Sequence, residues 1–150
     1  MKFEILKSNK LDRVLYYCTS EHSFFYDAAE NVDIFFLISY LELGFDSDDM
    51  TLKSISGLNF KEEWREYILK EPDGENGKLR VMGKYESGKS YRLNQDSIWD
   101  SYFDKATGWF CTGNPKTVSN DNTVRVFQNA YIVLDEVNEL KSIRIKPVFK

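Results

Sequence analysis

Val124–Leu134 (VRVFQNAYIVL), Asp135–Glu139 (DEVNE) and Leu140–Phe149 (LKSIRIKPVF) form the stretch whose reading decides the fold. β-Branched and aromatic side chains dominate it, and Ile143 and Ile145 alternate with Arg144 and Lys146. Alternation with a period of two marks a strand with one buried face. The stretch predicts an antiparallel pair, Val124–Leu134 against Leu140–Val148, closed by a turn at Asp135–Glu139. Ile143 and Ile145 should then share one face, with Arg144 and Lys146 on the other.

Toward the N-terminus the same grammar recurs. Ile98–Asp104 and Gly108–Thr112 read as a hairpin closed by DKATG at 104–108. Leu79–Tyr85 and Tyr91–Leu93 read as strands around Ser87-Gly88-Lys89, after the PDGENG loop at 72–77. Phe3–Ile5 and Val14–Thr19 are strands flanking Ser8-Asn9-Lys10. VDIFFLISYLELGF, 32–45, would suit a fully buried helix, but its β-branched and aromatic content favours one long strand stopped by Gly44 and the DSDD turn at 46–49.

One segment breaks the pattern. Asn59 is a good N-cap with Glu62 three residues on, and Phe60, Trp64, Tyr67 and Ile68 recur at helical spacing. Glu62 and Glu63 suit a first turn, and Pro72 forbids continuation beyond about Lys70. This predicts an amphipathic helix over 60–69, with Trp64 and Ile68 buried and Lys61, Glu62 and Arg65 exposed. Roughly eight or nine strands, one helix and no βαβ alternation give a mainly β (α+β) class. The expected architecture is a single domain over 1–150, an antiparallel curled sheet or β-sandwich with the helix laid on one face.

Composition sets the outer bounds. The 150 residues are 42% hydrophobic and 29% charged, with only 3 Pro and 8 Gly, which excludes collagen-like and fully disordered chains. No apolar stretch approaches the ~18 residues of a membrane-spanning helix. Glu4 interrupts the apolar run an export signal needs, so a cytoplasmic chain without a membrane association is expected. Cys18 and Cys111 are too few for a disulfide framework, and reduced thiols are expected.

Charge becomes informative once it is resolved along the chain. From Val14 to Leu52 there is no Lys or Arg, while Glu21, Asp27, Glu30, Asp33, Glu42, Asp46, Asp48 and Asp49 are all acidic. The segment carries −8, and since the whole chain is −4, the remainder carries +4. Even mixing of the 20 basic residues would place about five in a window of this size. A nucleic-acid binder needs a continuous basic face. The pI of about 5.1 leaves two readings, a basic protein surface as partner or a solvated acidic face with none.

Residues that could carry chemistry are sparse. Asp46–Asp49 lacks the glycine and glutamate of a calcium loop, since Thr51 and Gly57 occupy those places. Asp73–Gly77 fails likewise at Lys84. Cys18, His22 and Cys111 do not have paired zinc-ligand spacing, so no metal or other cofactor is expected. His22 is the one histidine, and a Cys18–His22 pair would require the chain to turn back between them. Asp96, Asp100 and Asp104 read as turn or surface acids rather than a hydrolase pair. No phosphate-binding glycine loop is present. The adjacent aromatics Tyr16/Tyr17, Phe24/Phe25 and Tyr102/Phe103 must point to opposite sheet faces, so each outward ring meets a second layer or is exposed to a partner.

The run Tyr102-Phe103-Asp104-Lys105-Ala106-Thr107-Gly108-Trp109-Phe110-Cys111-Thr112-Gly113, with Leu140–Pro147 (LKSIRIKP), is similar to immunity proteins of polymorphic-toxin and contact-dependent growth-inhibition systems. The resemblance covers the last third of the chain. It implies no catalytic residues. It implies tight binding to one toxin domain, commonly a nuclease with a basic cleft. The expected function is therefore non-enzymatic neutralisation of a toxin through an acidic face. Glu42, Asp46, Asp48 and Asp49 would form its centre, with Tyr40 as a nearby aromatic anchor. A small-ligand-binding domain and an unrecognised hydrolase are the alternatives.

Overall fold

The computed structural model describes residues 1–9, 11, 13–26, 31–93 and 98–150. The strands are β1 (Lys2–Lys7), β2 (Tyr16–Cys18), β3 (Ser23–Phe25), β4 (Ile34–Ile38), β5 (Leu41–Asp46), β6 (Thr51–Leu58), β7 (Arg65–Glu66) and β8 (Glu75–Met82). They continue with β9 (Lys89–Arg92), β10 (Ser101–Phe103), β11 (Phe110–Gly113), β12 (Asn122–Phe127), β13 (Ala130–Leu134), β14 (Leu140–Ile145) and β15 (Val148–Phe149). The protein is mainly β.

Two sheets share one strand. The first runs β9-β4-β5-β6-β3-β2-β15, and the second runs β12-β13-β14-β11-β10-β7. Strand β8 joins them: Glu75 and Asn76 pair with β12, Arg80 pairs with Thr51 of β6, and its other edge carries β1. Most ladders are antiparallel, but β15·β2, β4·β9, β12·β8 and β10·β7 are parallel, so the sheet system is mixed rather than purely antiparallel. The sheets meet through rings. Phe24 of β3 lies 5.0 Å from Phe110 of β11, and Tyr26 lies 5.6 Å from Phe127. Phe36, Phe45, Ile55, Leu79, Ile132, Ile143 and Ile145 complete this core.

Both long strands read from sequence are hairpins. In 32–45 the chain reverses at Ser39-Tyr40, and Ile38 pairs with Leu41. Ser39 takes a φ of 52°, and the Tyr40 carbonyl approaches Gly57 so closely that a Cβ there would collide with it. Val124–Leu134 likewise folds at Gln128-Asn129 into β12 and β13. Natural strands average five or six residues, and an apolar run longer than that must turn to keep burying its side chains. The Asp135–Glu139 turn and the β13–β14 pairing stand as expected, with Ile143 and Ile145 fully buried. After Ile145 the chain crosses at Lys146-Pro147 to pair Val148 and Phe149 with β2.

Arg144 points away from the core as its register requires, but it is 3% exposed rather than solvent-facing. Its Nε donates to Ser142 Oγ (3.1 Å) and its Nη2 to the Pro115 carbonyl (3.0 Å). The second sheet is covered on both faces, and alternation between buried and exposed is lost in such strands. Tyr67–Gly74 supplies part of that outer cover: Leu69 packs with Trp109, Cys111 and Tyr131, and Tyr67 lies 5.3 Å from Tyr102. Burial raises the Cys111 thiol to about 11, against the opposing charge of Arg144. Both cysteines are free.

The amphipathic helix over 60–69 does not form. Only Lys61–Glu63 make a single 3-10 turn, and Arg65-Glu66 are extended beside Tyr102 and Phe103. Ile68 is 86% exposed, while Leu69 is buried. Ten residues make a marginal helix on their own, and tertiary partners claim each capping group here. The Asn59 side chain accepts from Trp64 Nε1 (2.5 Å) instead of capping, and the Lys61 amide donates to the Tyr17 hydroxyl (3.1 Å). Trp64 does turn inward, 4.9 Å from Phe110 and 5.1 Å from Tyr17.

Candidate functional site

The five residues singled out from sequence do not form one patch. Tyr40 sits at the β4–β5 turn, 70% exposed, and Glu42 follows it on the outer face of β5. Asp46, Asp48 and Asp49 lie at the other end of β5. Six residues at ~3.4 Å per residue separate the two turns by about 20 Å. Asp27 and Glu30 of the acidic run, and Asp96, lie outside the described residues.

The 46–50 turn uses its acids to hold itself. Asp46 Oδ1 accepts from the Asp48 amide (2.9 Å), and Asp49 Oδ1 accepts from the Thr51 amide (3.0 Å) and hydroxyl (2.8 Å). Asp49 Oδ2 lies 3.1 Å from Lys53 Nζ. Burial pushes the Asp49 carboxyl up, but the Thr51 hydrogen bonds and Lys53 outweigh it and hold it below its ordinary value. Asp33 braces the same turn, accepting from the Ser47 amide (2.8 Å), the Ser47 hydroxyl and the Ser87 hydroxyl. Reversing Asp46, Asp48 and Asp49 together would dismantle a turn as well as remove charge. Of the five residues, Glu42 and Asp48 have exposed carboxylates that take no hydrogen bond or ion pair among the described residues.

These acids set a pH limit on stability. The Ser47 and Ser87 hydroxyls lower the Asp33 carboxyl, and the Leu69, Ala106 and Thr107 amides lower that of Asp104, which closes the β10–β11 turn. A carboxyl lowered on folding stabilises the fold above its unfolded value of ~4, and that contribution is lost as pH falls through the folded value. The melting temperature should stay level down to about pH 4.5 and drop below about pH 4. Asp33→Asn should lower the neutral-pH value and flatten the drop, as thermal scans at stepped pH would show. An unchanged acid limb in that variant would remove Asp33 from the account.

The Tyr40 end holds a concavity with a substantial apolar lining. A cleft of about 290 Å³ lies between Ser39-Tyr40, Leu58–Phe60, Glu63, Arg65 and Ile98–Ser101. Its floor is fixed by hydrogen bonds. The Asn59 Nδ2 donates to Ser101 Oγ (3.2 Å), Ser101 Oγ to Thr112 Oγ1 (3.2 Å), and the Trp99 amide to Ser39 Oγ (3.2 Å). These polar groups are spent on one another, which leaves few to orient a small ligand, and the volume sits at the low end for such sites. The rim is different. Tyr40, Leu58, Phe60 and Ile98 are exposed there, with Arg65 3.5 Å from Asp100.

The chain does turn back between Cys18 and His22, which lie on a hairpin where Cys18 pairs with Ser23. Yet Cys18 Sγ contacts Ser20 Oγ (3.4 Å), while His22 lies 5.2 Å from the Phe60 ring and 3.7 Å from Glu62. No nucleophile–base pair results. Sequence reading missed the cleft because its lining comes from three separate segments. Its one sequence signal is Tyr40, now seen in a turn. Among the described residues, no helix is long and apolar enough to cross a membrane. No protein-family model matches the chain, and no curated protein matches it at a significant level.

Proposed function

We propose that the chain is a non-enzymatic immunity protein that binds a cognate toxin domain, a nuclease, and neutralises it by covering its basic substrate site. The partner would be a protein with a basic surface, met in the cytoplasm. The observation that carries the reading is the 39-residue acidic run without one Lys or Arg. Carboxylates facing the cations a nuclease uses for its own anionic substrate would speed association and occlude the site together. The similarity of 102–113 and 140–147 to immunity proteins supports the same reading.

The reading expects a toxin gene next to this chain's own, and the test is co-production with the domain such a gene encodes. Growth should be restored, the two should purify as one complex, and the complex should weaken as salt rises, because screening shortens to ~3 Å at 1 M. Glu42→Lys with Asp48→Lys should slow association at least tenfold without lowering the melting temperature, since neither carboxylate supports the fold. A toxin domain that kills unabated in the presence of the folded chain would sink the reading.

A further inference from the structure

Twelve large apolar side chains are exposed among the described residues, and four of them (Tyr40, Leu58, Phe60 and Ile98) line the one cleft beside Trp99. Scattered exposed apolar residues are ordinary, but a cluster with a polar rim marks a contact surface. The charge around it is mixed, with carboxylates in slight excess. Glu63 and Asp100 line the cleft, Glu42 follows Tyr40 by two residues on β5, and Glu62 lies 3.7 Å from His22, whose ring packs on Phe60. Arg65 and Asp100 pair with each other, Arg92 Nη1 donates to the Ser39 carbonyl (3.2 Å) and Lys61 lies over the Phe149 ring (4.7 Å). That leaves Glu42 and Glu63 as the carboxylates here without a partner among the described residues. A second concavity, about 530 Å³, borders the 46–50 turn at Asp48 and Asp49. Met82 is its one exposed large apolar side chain among the described residues, Lys78 and Arg80 also line it, and two of the turn's three carboxylates are committed.

We infer that the centre of the binding surface is this cleft rather than the 46–49 turn, and that it takes an apolar side chain presented between Lys or Arg residues on the partner protein. The inference rests on the reading of the chain as a binder of basic proteins. Contact surfaces draw most of their affinity from a few anchors in preformed pockets, with charges at the rim steering approach. Here the hydrogen-bonded floor supplies the preformed pocket, and the acids supply the steering.

Amide chemical-shift mapping with three capped heptapeptides tests it, each bearing a central Leu flanked by Lys, by Ser or by Glu. The Lys-flanked peptide should move the amides of 39–42, 58–63 and 98–101 and bind at least tenfold tighter than the Glu-flanked one. Tyr40→Ala with Ile98→Ala should abolish those shifts while leaving the melting temperature unchanged, because both side chains are 70% or more exposed. Shifts centred on 46–50, equal binding of the Glu-flanked peptide, or no shift up to about 5 mM peptide, where even mM affinity would register, would overturn the inference. So would movement of the same amides with protein concentration alone, which would assign the cleft to a second copy of the chain. A toxin domain that binds the parent and the double variant alike would overturn the cleft and keep the proposed function. Peptide mapping as expected, with a toxin domain that ignores the chain, would do the reverse.

Discussion

A chain ending at Glu139 should show no cooperative thermal transition. The missing eleven residues include β14, which lies between β13 and β11 and holds the second sheet together. Its loss would strip β13 of the Ile132–Ile143 and Ala130–Ile145 pairs and β11 of Phe110–Ile145. Ile143 and Ile145 are 0% exposed, and each is a side chain whose truncation alone costs about 2–5 kcal/mol. Removing both, together with two ladders and the Val148–Phe149 pairing to β2, exceeds the roughly 5–15 kcal/mol available to a domain of this size. Calorimetry or circular dichroism would read the result. A truncated chain that melts cooperatively near the parent temperature would contradict the placement of β14.

Trp64→Ala should cost about 3–5 kcal/mol, the range for truncating a large aromatic side chain in a core, because the half-buried Trp64 still packs on four rings. The reason is not the helix that its spacing predicted. Trp64 packs against Tyr17, Phe24, Phe103 and Phe110, rings contributed by β2, β3, β10 and β11, so it ties the first sheet to the second. In a chain of 150 residues that loss lowers the melting temperature by about 6–20 °C. Trp64→Phe should restore most of the packing and leave only the lost indole hydrogen bond to Asn59, about 1–3 kcal/mol. Near-parent stability of the alanine variant would show that this cluster does not hold the sheets together.

What could be read from the chain follows from what each signal measures. Period-two alternation reports one buried face, and it located the core side chains Phe3, Leu79, Val81, Ile143 and Ile145. It says nothing about where a fully apolar run reverses, so 32–45 and 124–134 looked like single strands. The Ser39-Tyr40 and Gln128-Asn129 turns each offer a single Ser or Asn inside a largely apolar run, too weak a turn signal to break it. Helical spacing at Phe60, Trp64 and Ile68 was real but incidental. Asn59, the cap it needed, is held by Trp64 and Ser101, contacts that depend on 42 residues of intervening chain in the second case. The outward rings of the adjacent aromatic pairs have two fates: Tyr102 packs beneath the 67–74 cover, and Tyr16 stacks half-buried on Phe25. The acidic run was legible as a charge imbalance. Its division between a self-bonded turn and an open carboxylate at Glu42 was not, since hydrogen bonding is invisible in composition.

That division sharpens the proposed mechanism. A turn whose Asp46 and Asp49 already have donors presents less free charge than its composition promises, and a partner must compete with Thr51 and Lys53 for it. The Tyr40 end combines unengaged carboxylate with exposed apolar surface. Interfaces with that combination gain affinity from the apolar centre and speed from the charge around it.

The most direct measurement of the central claim is competition on the toxin domain. With a toxin domain of the proposed kind held at fixed salt, its anionic substrate is titrated in the absence and presence of increasing amounts of the chain. Occlusion of the substrate site requires the two to be mutually exclusive, so substrate affinity should fall in proportion to the chain added, and no species containing both should be seen. A ternary complex of toxin domain, substrate and chain, with substrate affinity unchanged, would contradict the account.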